Sequence, residues 1–318
     1  MGEGEGGRAR EIAYPVYLNL TDSEWRNKID NGYEILKSCI LCGRRCEVNR
    51  IKGEKGECRS DWQVIISSYH LHFGEEPPIS GRRGSGTVFF TNCSMHCQYC
   101  QNYTISQLGM GDSVTIDGLT YCFLYLQNKG AHNINLVTPT HFVPQIIAAT
   151  WRAVKRGLRI PIVYNTGGYD SIETLKLMDG IVDIYMPDAK YGDNDKGLKY
   201  SKVTNYVDVN QAALREMHRQ VGDLVLKDGI AVRGLMVRHL VLPNDVSNTE
   251  KVLKFLHELS PNLYLSLMSQ YYPSYKADEY RELSRPITSW EYEKALELAK
   301  KLGFRGYFQP YMRLMYRI

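Results

Sequence analysis

No stretch of the sequence approaches the roughly 18 consecutive apolar residues that a membrane span requires, and no segment recurs at a period of roughly 20–50 residues. Transmembrane and solenoid architectures are thereby excluded. A basic-then-apolar secretion signal is missing as well: Met1–Arg10 is glycine-rich and charged, which reads as a flexible leader on a cytoplasmic protein with no membrane partner. Nor is there a strong charge of either sign. Lysine and arginine number 39 against 35 aspartates and glutamates, a net charge of +4, so nucleic acid is not indicated. What remains, 43% hydrophobic and 23% charged residues in a chain of 318, is the composition of an ordered globular protein.

The eight cysteines are not dispersed as they are when disulfides staple a small secreted fold. Seven fall within residues 39–100, in two groups: Cys39, Cys42, Cys46 and Cys58, then Cys93, Cys97 and Cys100. Such clusters in a reducing compartment bind metal. Cys122 stands apart in the apolar helix expected over Leu119–Leu126 and reads as a core thiol.

From residue 87 onward, short β-branched or aromatic runs alternate with amphipathic segments, the sequence form of repeated βα units around a parallel sheet. Six strands are predicted, at Thr87–Thr91, Ile134–Thr138, Ile162–Thr166, Ile181–Pro187, Leu235–Leu242 and Leu263–Ser269; Gly306–Gln309 leaves room for a seventh short one. Helix starts are marked by Pro144, by Asp170 with Glu173, and by Thr288 with Glu291. Six units predict an α/β fold of the open, partial (β/α)6 TIM-like barrel type. The glycine-, proline- and charge-rich joints around Gly74–Gly86 divide a cysteine-bearing module, residues 1–80, from the barrel, residues 81–318.

Cys93-Ser-Met-His-Cys97-Gln-Tyr-Cys100 follows a predicted strand directly, placing three thiolates at a strand's C-terminal end, the face on which βα barrels do chemistry. Three thiolates hold three corners of a [4Fe–4S] cluster and leave one iron open. The alternative is a zinc knuckle completed by His96 or a distant residue, although structural zinc favours four ligands in paired knuckles. The C-x3-C-x2-C spacing, with Tyr99 as the aromatic before the last cysteine, resembles the signature of the radical S-adenosylmethionine (SAM) superfamily. The resemblance extends through Asn135–His141, Tyr164–Gly168, Met186–Lys190, Val237–Pro243 and Ser269–Pro273. It is strongest to the branch of the pyruvate formate-lyase-activating enzyme and its archaeal and bacterial relatives.

That resemblance implies a barrel of the radical SAM type. It also implies an enzyme in which a [4Fe–4S] cluster held by Cys93, Cys97 and Cys100 reductively cleaves SAM to a 5′-deoxyadenosyl radical, which then abstracts hydrogen from a substrate. The reductant is expected to be a ferredoxin or flavodoxin. Where many members carry Gly-Gly-Glu for the methionine amino group, this chain has Thr138-Pro-Thr140-His141, leaving the hydroxyls of Thr138 and Thr140 as acceptors. Asn165 and Thr166, followed by Gly167-Gly168, and Asp188 with Lys190 are expected to line the SAM pocket; a glycine turn and a surface ion pair are the plainer alternatives. Arg238 matches the activases' arginine near the methionine carboxylate. Strand alternation sends His239 to the opposite face, unless the phase is shifted and the two exchange places. His141 and Gln270 are further candidates for substrate contact. A protein substrate, glycyl-radical fashion, accords with the activase branch, although Gln101–Asp117 lacks the cysteines of the activases' ferredoxin insertion.

Cys39, Cys42, Cys46 and Cys58, spaced C-x2-C-x3-C-x11-C, match neither a zinc ribbon nor a ferredoxin run. Four thiolates suit zinc or a second, fully ligated iron–sulfur cluster, with unligated thiols as the remaining option. The rival to an enzyme is a non-catalytic zinc-binding module that uses both cysteine groups to dock nucleic acid or protein.

Overall fold

The computed structural model describes residues 13–311; the leader Met1–Arg10 lies outside them. Ten strands form one sheet: β1 Val64–His72, β2 Ser85–Phe90, β3 Asp112–Val114, β4 Ile134–Val137, β5 Ile162–Thr166, β6 Ile184–Pro187, β7 Val225–Lys227, β8 Ile230–Leu240, β9 Tyr264–Met268 and β10 Arg305–Phe308. Their order is β10-β9-β8-β6-β5-β4-β2-β1-β3, with β7 pairing on β8. Strands β2, β4, β5, β6, β8, β9 and β10 run parallel in series. β3 and β10 are the two ends of that order, so the sheet curls without closing. This is the partial barrel expected, and the seventh parallel strand is the short one for which Gly306–Gln309 leaves room.

The parallel strands are short and apolar because both faces are covered; every residue of β5 and of β6 is buried. Alternation sorts them into two layers. Val163, Ile184 and Met236 point into the barrel, while Tyr164, Tyr185 and Val237 pack outward against helices. Helix Val143–Lys155 is buried on both sides because helix Asp22–Ile35 lies over it. The crossing point is Gly32, where an added Cβ would sit 3.1 Å from that of Pro144. The cap expected at Thr288 with Glu291 is present as a full capping box. The one expected at Asp170 is not: Ser171 caps the helix through Thr174, and Asp170 turns inward.

Strand β1, on the N-terminal side of the boundary expected near residue 80, pairs antiparallel with β2, so both sides of that boundary share one sheet. Between the two strands the chain crosses beneath the barrel. There Ile79, fully buried, packs against Val163, Ile184, Met186, Leu224, Ala231 and Met236 and fills the lower barrel. Asn133 anchors this crossing, donating to the Ile79 carbonyl at 2.9 Å and accepting from Ser85 at 2.7 Å.

The N-terminal segment is tied to the barrel through Asp183, whose carboxylate accepts from the backbone of Val16 at 2.8 Å and of Ile162 at 3.1 Å. Burial outweighs these bonds and raises its pKa to about 7. The folded state therefore holds this proton more tightly than the unfolded chain, whose aspartates titrate near about 4. Folding stability is predicted to fall as pH rises from about 4 to about 7, the interval between the two pKa values. Urea titrations of Asp183→Asn across that interval should show a flatter profile than wild type; parallel profiles would remove Asp183 as the cause.

Candidate active site

The loop after β2 carries Cys93, Cys97 and Cys100 into a cavity of about 440 Å³ at the C-terminal ends of the strands. The loop is held from several sides. His96 and Gln98 donate backbone N–H groups to Ser201 and Tyr200, and Lys276 donates to the Gln98 carbonyl. Each thiol has a hydrogen-bonding neighbour: the Met95 N–H for Cys93 at 3.4 Å, the Ser201 hydroxyl for Cys97 at 3.0 Å and the Ser106 hydroxyl for Cys100 at 3.1 Å. Tyr99 is buried, accepts from Tyr191 at 2.8 Å, and meets Tyr271 edge to face. Burial and the adjacent Cys97 push the Cys93 thiol up to about 12, so a metal bound here must displace a tightly held proton.

The cavity wall is formed by successive strand ends. Thr138, Asn165, Thr166, Asp188, Lys190 and Arg238 all line it. Asp188 accepts from Lys190 at 2.5 Å. Burial opposes the Lys190 charge, but Asp188 beside it, with Cys97, holds the ammonium pKa well above its usual value. The pair belongs to the cavity, with both side chains mostly sequestered, and is not the surface pair considered above. Gly168 adopts φ +73°, and an added Cβ would stand 2.3 Å from the Asp188 carbonyl oxygen. Gly168 is thus required by packing of the β5 and β6 ends.

Two expected residues are drawn away. Thr140 does not line the cavity; its hydroxyl donates to Asp170 at 2.7 Å, together with Tyr164 at 2.8 Å and Thr166 at 2.7 Å. Three hydroxyl donors satisfy that fully buried carboxylate. His141 is likewise sealed off, donating to the Thr91 carbonyl at 2.8 Å. Gln270 does line the cavity, and its carbonyl accepts from Gln101. His239 faces the helices, between the Ala189 carbonyl and Thr249, and Cys122 is a core thiol.

Arg238 faces the cavity as expected, but its guanidinium is already matched. It donates to Glu76 through Nε at 2.8 Å and through Nη2 at 2.5 Å, and it also pairs with Glu75. Its remaining nitrogen reaches Asn165 at 3.3 Å. Glu76 further accepts from Ser266 at 2.7 Å, and Glu75 from Asn135 at 2.9 Å. Burial disfavours the Glu76 charge, yet Arg238 outweighs it and holds that carboxyl below its usual range. The arginine's counter-ions are thus protein groups delivered by the crossing segment. Sequence reasoning missed both glutamates. The available signal was a lone arginine in an apolar strand, which demands a carboxylate, and two adjacent acids just before Pro77-Pro78.

The Radical SAM superfamily model matches residues 87–256, which include the cysteine loop and the strand ends through β8. The chain belongs to the radical SAM superfamily. A protein of Methanocaldococcus jannaschii, the uncharacterized protein MJ0674, is 34% identical over 287 residues, spanning 86% of this chain and 78% of that one. Among solved structures, the radical SAM methyltransferase from Sphaerobacter thermophilus is 15% identical with a TM-score of 0.45, over 71% of this chain and 66% of that enzyme. Methylornithine synthase (PylB) is 16% identical with a TM-score of 0.44, over 92% and 84% of the respective chains. HydG, a maturase of the [FeFe]-hydrogenase, is 12% identical with a TM-score of 0.49, over 92% and 64%.

Radical SAM membership makes the chain an enzyme that uses a [4Fe–4S] cluster, SAM and a reductant, and it displaces the non-catalytic zinc module. The residues fit the cluster: three thiols share one cavity, each with a hydrogen-bonding neighbour, as cluster sulfurs require for tuning. Among the described residues, no group of His, Cys, Asp and Glu side chains is arranged to hold a single metal ion. A cluster places its thiolates on different irons, so its ligands need not converge. His96 is no ligand, since its ring nitrogens meet the Gln107 side chain at 3.0 Å and the Glu57 carbonyl at 3.1 Å. No helix among the described residues is long and apolar enough to cross a membrane.

The four N-terminal cysteines lie beside this site. Their loop joins the segment after β5: Gly43 donates to the Tyr169 carbonyl and Ser171 to that of Leu41. Cys39, Cys42 and Cys58 are buried, and Cys42 lies near enough to the other three for their charges to act on it.

Because Arg238, Glu75 and Glu76 form one buried charge group, Arg238→Met strands two carboxylates. The variant is predicted to lose about 3–5 kcal/mol of folding stability, measured by urea denaturation of the metal-free protein. A loss below about 1 kcal/mol, the scale of an exposed pair, would show that the group is solvated.

Proposed function

We propose that Cys93, Cys97 and Cys100 ligate three irons of the [4Fe–4S] cluster and that SAM lies along the ends of β4, β5, β6 and β8. The observation that carries this reading is the convergence of three loop thiols and the Asp188–Lys190 pair on one cavity. When bound, these cofactors supply one-electron reductive cleavage of SAM and, from it, the abstraction of hydrogen from a substrate. Thr138, Thr166 and Asn165 offer acceptors for the methionine amino group, and Lys190, supported by Asp188, is the cation placed to meet the methionine carboxylate. Tyr99, closed off by Tyr191 and Tyr271, seals the cluster side of the cavity from water. Arg238, held by Glu75 and Glu76, serves as the polar floor.

The substrate is a polypeptide segment presented at the mouth. Supporting this, residues in the loops bordering the cavity leave large apolar surface in solvent: Leu108 is 59%, Met110 59% and Tyr272 38% exposed. The electron arrives from a ferredoxin or flavodoxin. Cys39, Cys42, Cys46 and Cys58 hold a second iron–sulfur cluster, whose thiolates, unlike the ligands of a single zinc ion, need not converge on one point.

Anaerobically reconstituted protein reduced with dithionite should convert SAM to 5′-deoxyadenosine and methionine, measured chromatographically. Replacing Cys93, Cys97 and Cys100 together with Ala should abolish the conversion while leaving a folded chain. Cleavage that persists in this variant sinks the ligand assignment. Deuterium transfer into 5′-deoxyadenosine from a deuterated candidate protein, absent with its small-molecule building blocks, tests the substrate class.

A further inference from the structure

Arg50 is fully buried. Its guanidinium donates to the backbone carbonyls of Asp61 and, at 2.7 Å, of His141, and lies 5.9 Å from the Phe142 ring centroid. Three acidic side chains of this module are engaged elsewhere. Asp61 faces Lys55 at 3.7 Å, Glu57 faces Arg44 at 3.7 Å, and Glu54 accepts from the Asn49 backbone at 2.7 Å. Among the described residues Arg50 has no carboxylate partner. Its remaining neighbour is sulfur: Nη1 stands 3.9 Å from Cys39 Sγ. Carbonyl dipoles satisfy N–H geometry but do not cancel a unit charge, and a buried cation without an anion is costly. Four neutral thiols would leave that cost standing. Four thiolates around an iron–sulfur core leave surplus negative charge, which a buried guanidinium offsets.

We propose that Arg50 is the built-in counter-cation of a thiolate metal centre formed by Cys39, Cys42, Cys46 and Cys58. This rests on the reading of those cysteines as metal ligands, and it adds a residue outside the ligand set that the metal needs. The same unit abuts the catalytic loop. The Ser60 hydroxyl donates to the Cys58 carbonyl and accepts from Asn92, the residue before Cys93, while Arg44 donates through Nε to the Ser94 carbonyl at 2.5 Å. Loss of the centre therefore loosens the base of the cluster loop.

The test uses the full chain with Cys93, Cys97 and Cys100 replaced by Ala, so that bound metal reports the N-terminal site alone. The protein is loaded in separate arms with zinc alone or with ferrous iron and sulfide, and retention is measured against a competing chelator. Arg50→Gln keeps donor N–H groups but removes the charge; Arg50→Lys keeps the charge but not the fork. The expected result is about tenfold or greater weakening in Arg50→Gln, the scale of lost outer-sphere support for a metal site, with Arg50→Lys within about threefold of the parent. Equal retention by Arg50→Gln and the parent would overturn the proposal, and equal weakening of both variants would reduce Arg50 to a hydrogen-bonding scaffold. Failure of the parent to hold metal in either arm would instead overturn the metal reading beneath it. For a variant too unstable to purify, refolding with the same metal gives the same ranking: recovery of Lys but not Gln supports the counter-cation, and the reverse rejects it.

Discussion

A charge placed inside a barrel must find its opposite there, and much of this architecture answers that requirement for Arg238. Strand alternation fixes the arginine's direction: Met236 below it and Leu240 above share its face, so the guanidinium projects into the barrel interior, above the apolar layer of Val163, Ile184 and Met236. The anions come from neither neighbouring strand. They are carried in by the segment between β1 and β2, which lifts Glu75 and Glu76 to the arginine and sets Ile79 as the apolar plug beneath them. The same crossing therefore divides the interior into a dry lower layer and a polar upper layer. Chemistry is confined to the upper one, where the cysteine loop and the ends of β5 and β6 meet.

The division between what the sequence disclosed and what it withheld follows the range of the interactions. The central parallel strands announce themselves as apolar runs because they are buried on both faces, as β5 and β6 are throughout, and the cysteine loop because its spacing is local. That His239 and Arg238 face opposite ways follows from period two alone, whereas which of them faces the cavity is settled by Glu75 and Glu76 on one side and Ala189 and Thr249 on the other. Asp170 was misread because Ser171 beside it offers the same capping offset; a buried carboxylate fed by Thr140, Tyr164 and Thr166 looks, in sequence, like a surface cap. Thr140 and His141 were placed by adjacency to a strand end, but packing against Asp170 and Thr91 removed them from the cavity. Glu75 and Glu76 lie in an irregular segment more than 160 positions from Arg238, and no local pattern encodes such a pairing.

Arg50 and Arg238 present the same electrostatic problem solved in two ways. Arg238 is neutralised by carboxylates that fold brings to it. Arg50 faces carbonyls, an aromatic ring and sulfur, and no carboxylate among the described residues pairs with it. One arginine is matched within the polypeptide; for the other, the counter-charge proposed above is a thiolate metal centre.

The anchoring of the cysteine loop bears on the order of events during synthesis. Cys93, Cys97 and Cys100 emerge early, but the backbone groups that shape their loop belong to Tyr200, Ser201 and Lys276. Contacts so distant in sequence form late in folding and cannot precede translation of the later residues. The nascent thiols thus spend most of chain elongation without their final geometry, exposed to oxidants and stray metal ions. Loading of the catalytic loop is accordingly a step for the completed chain.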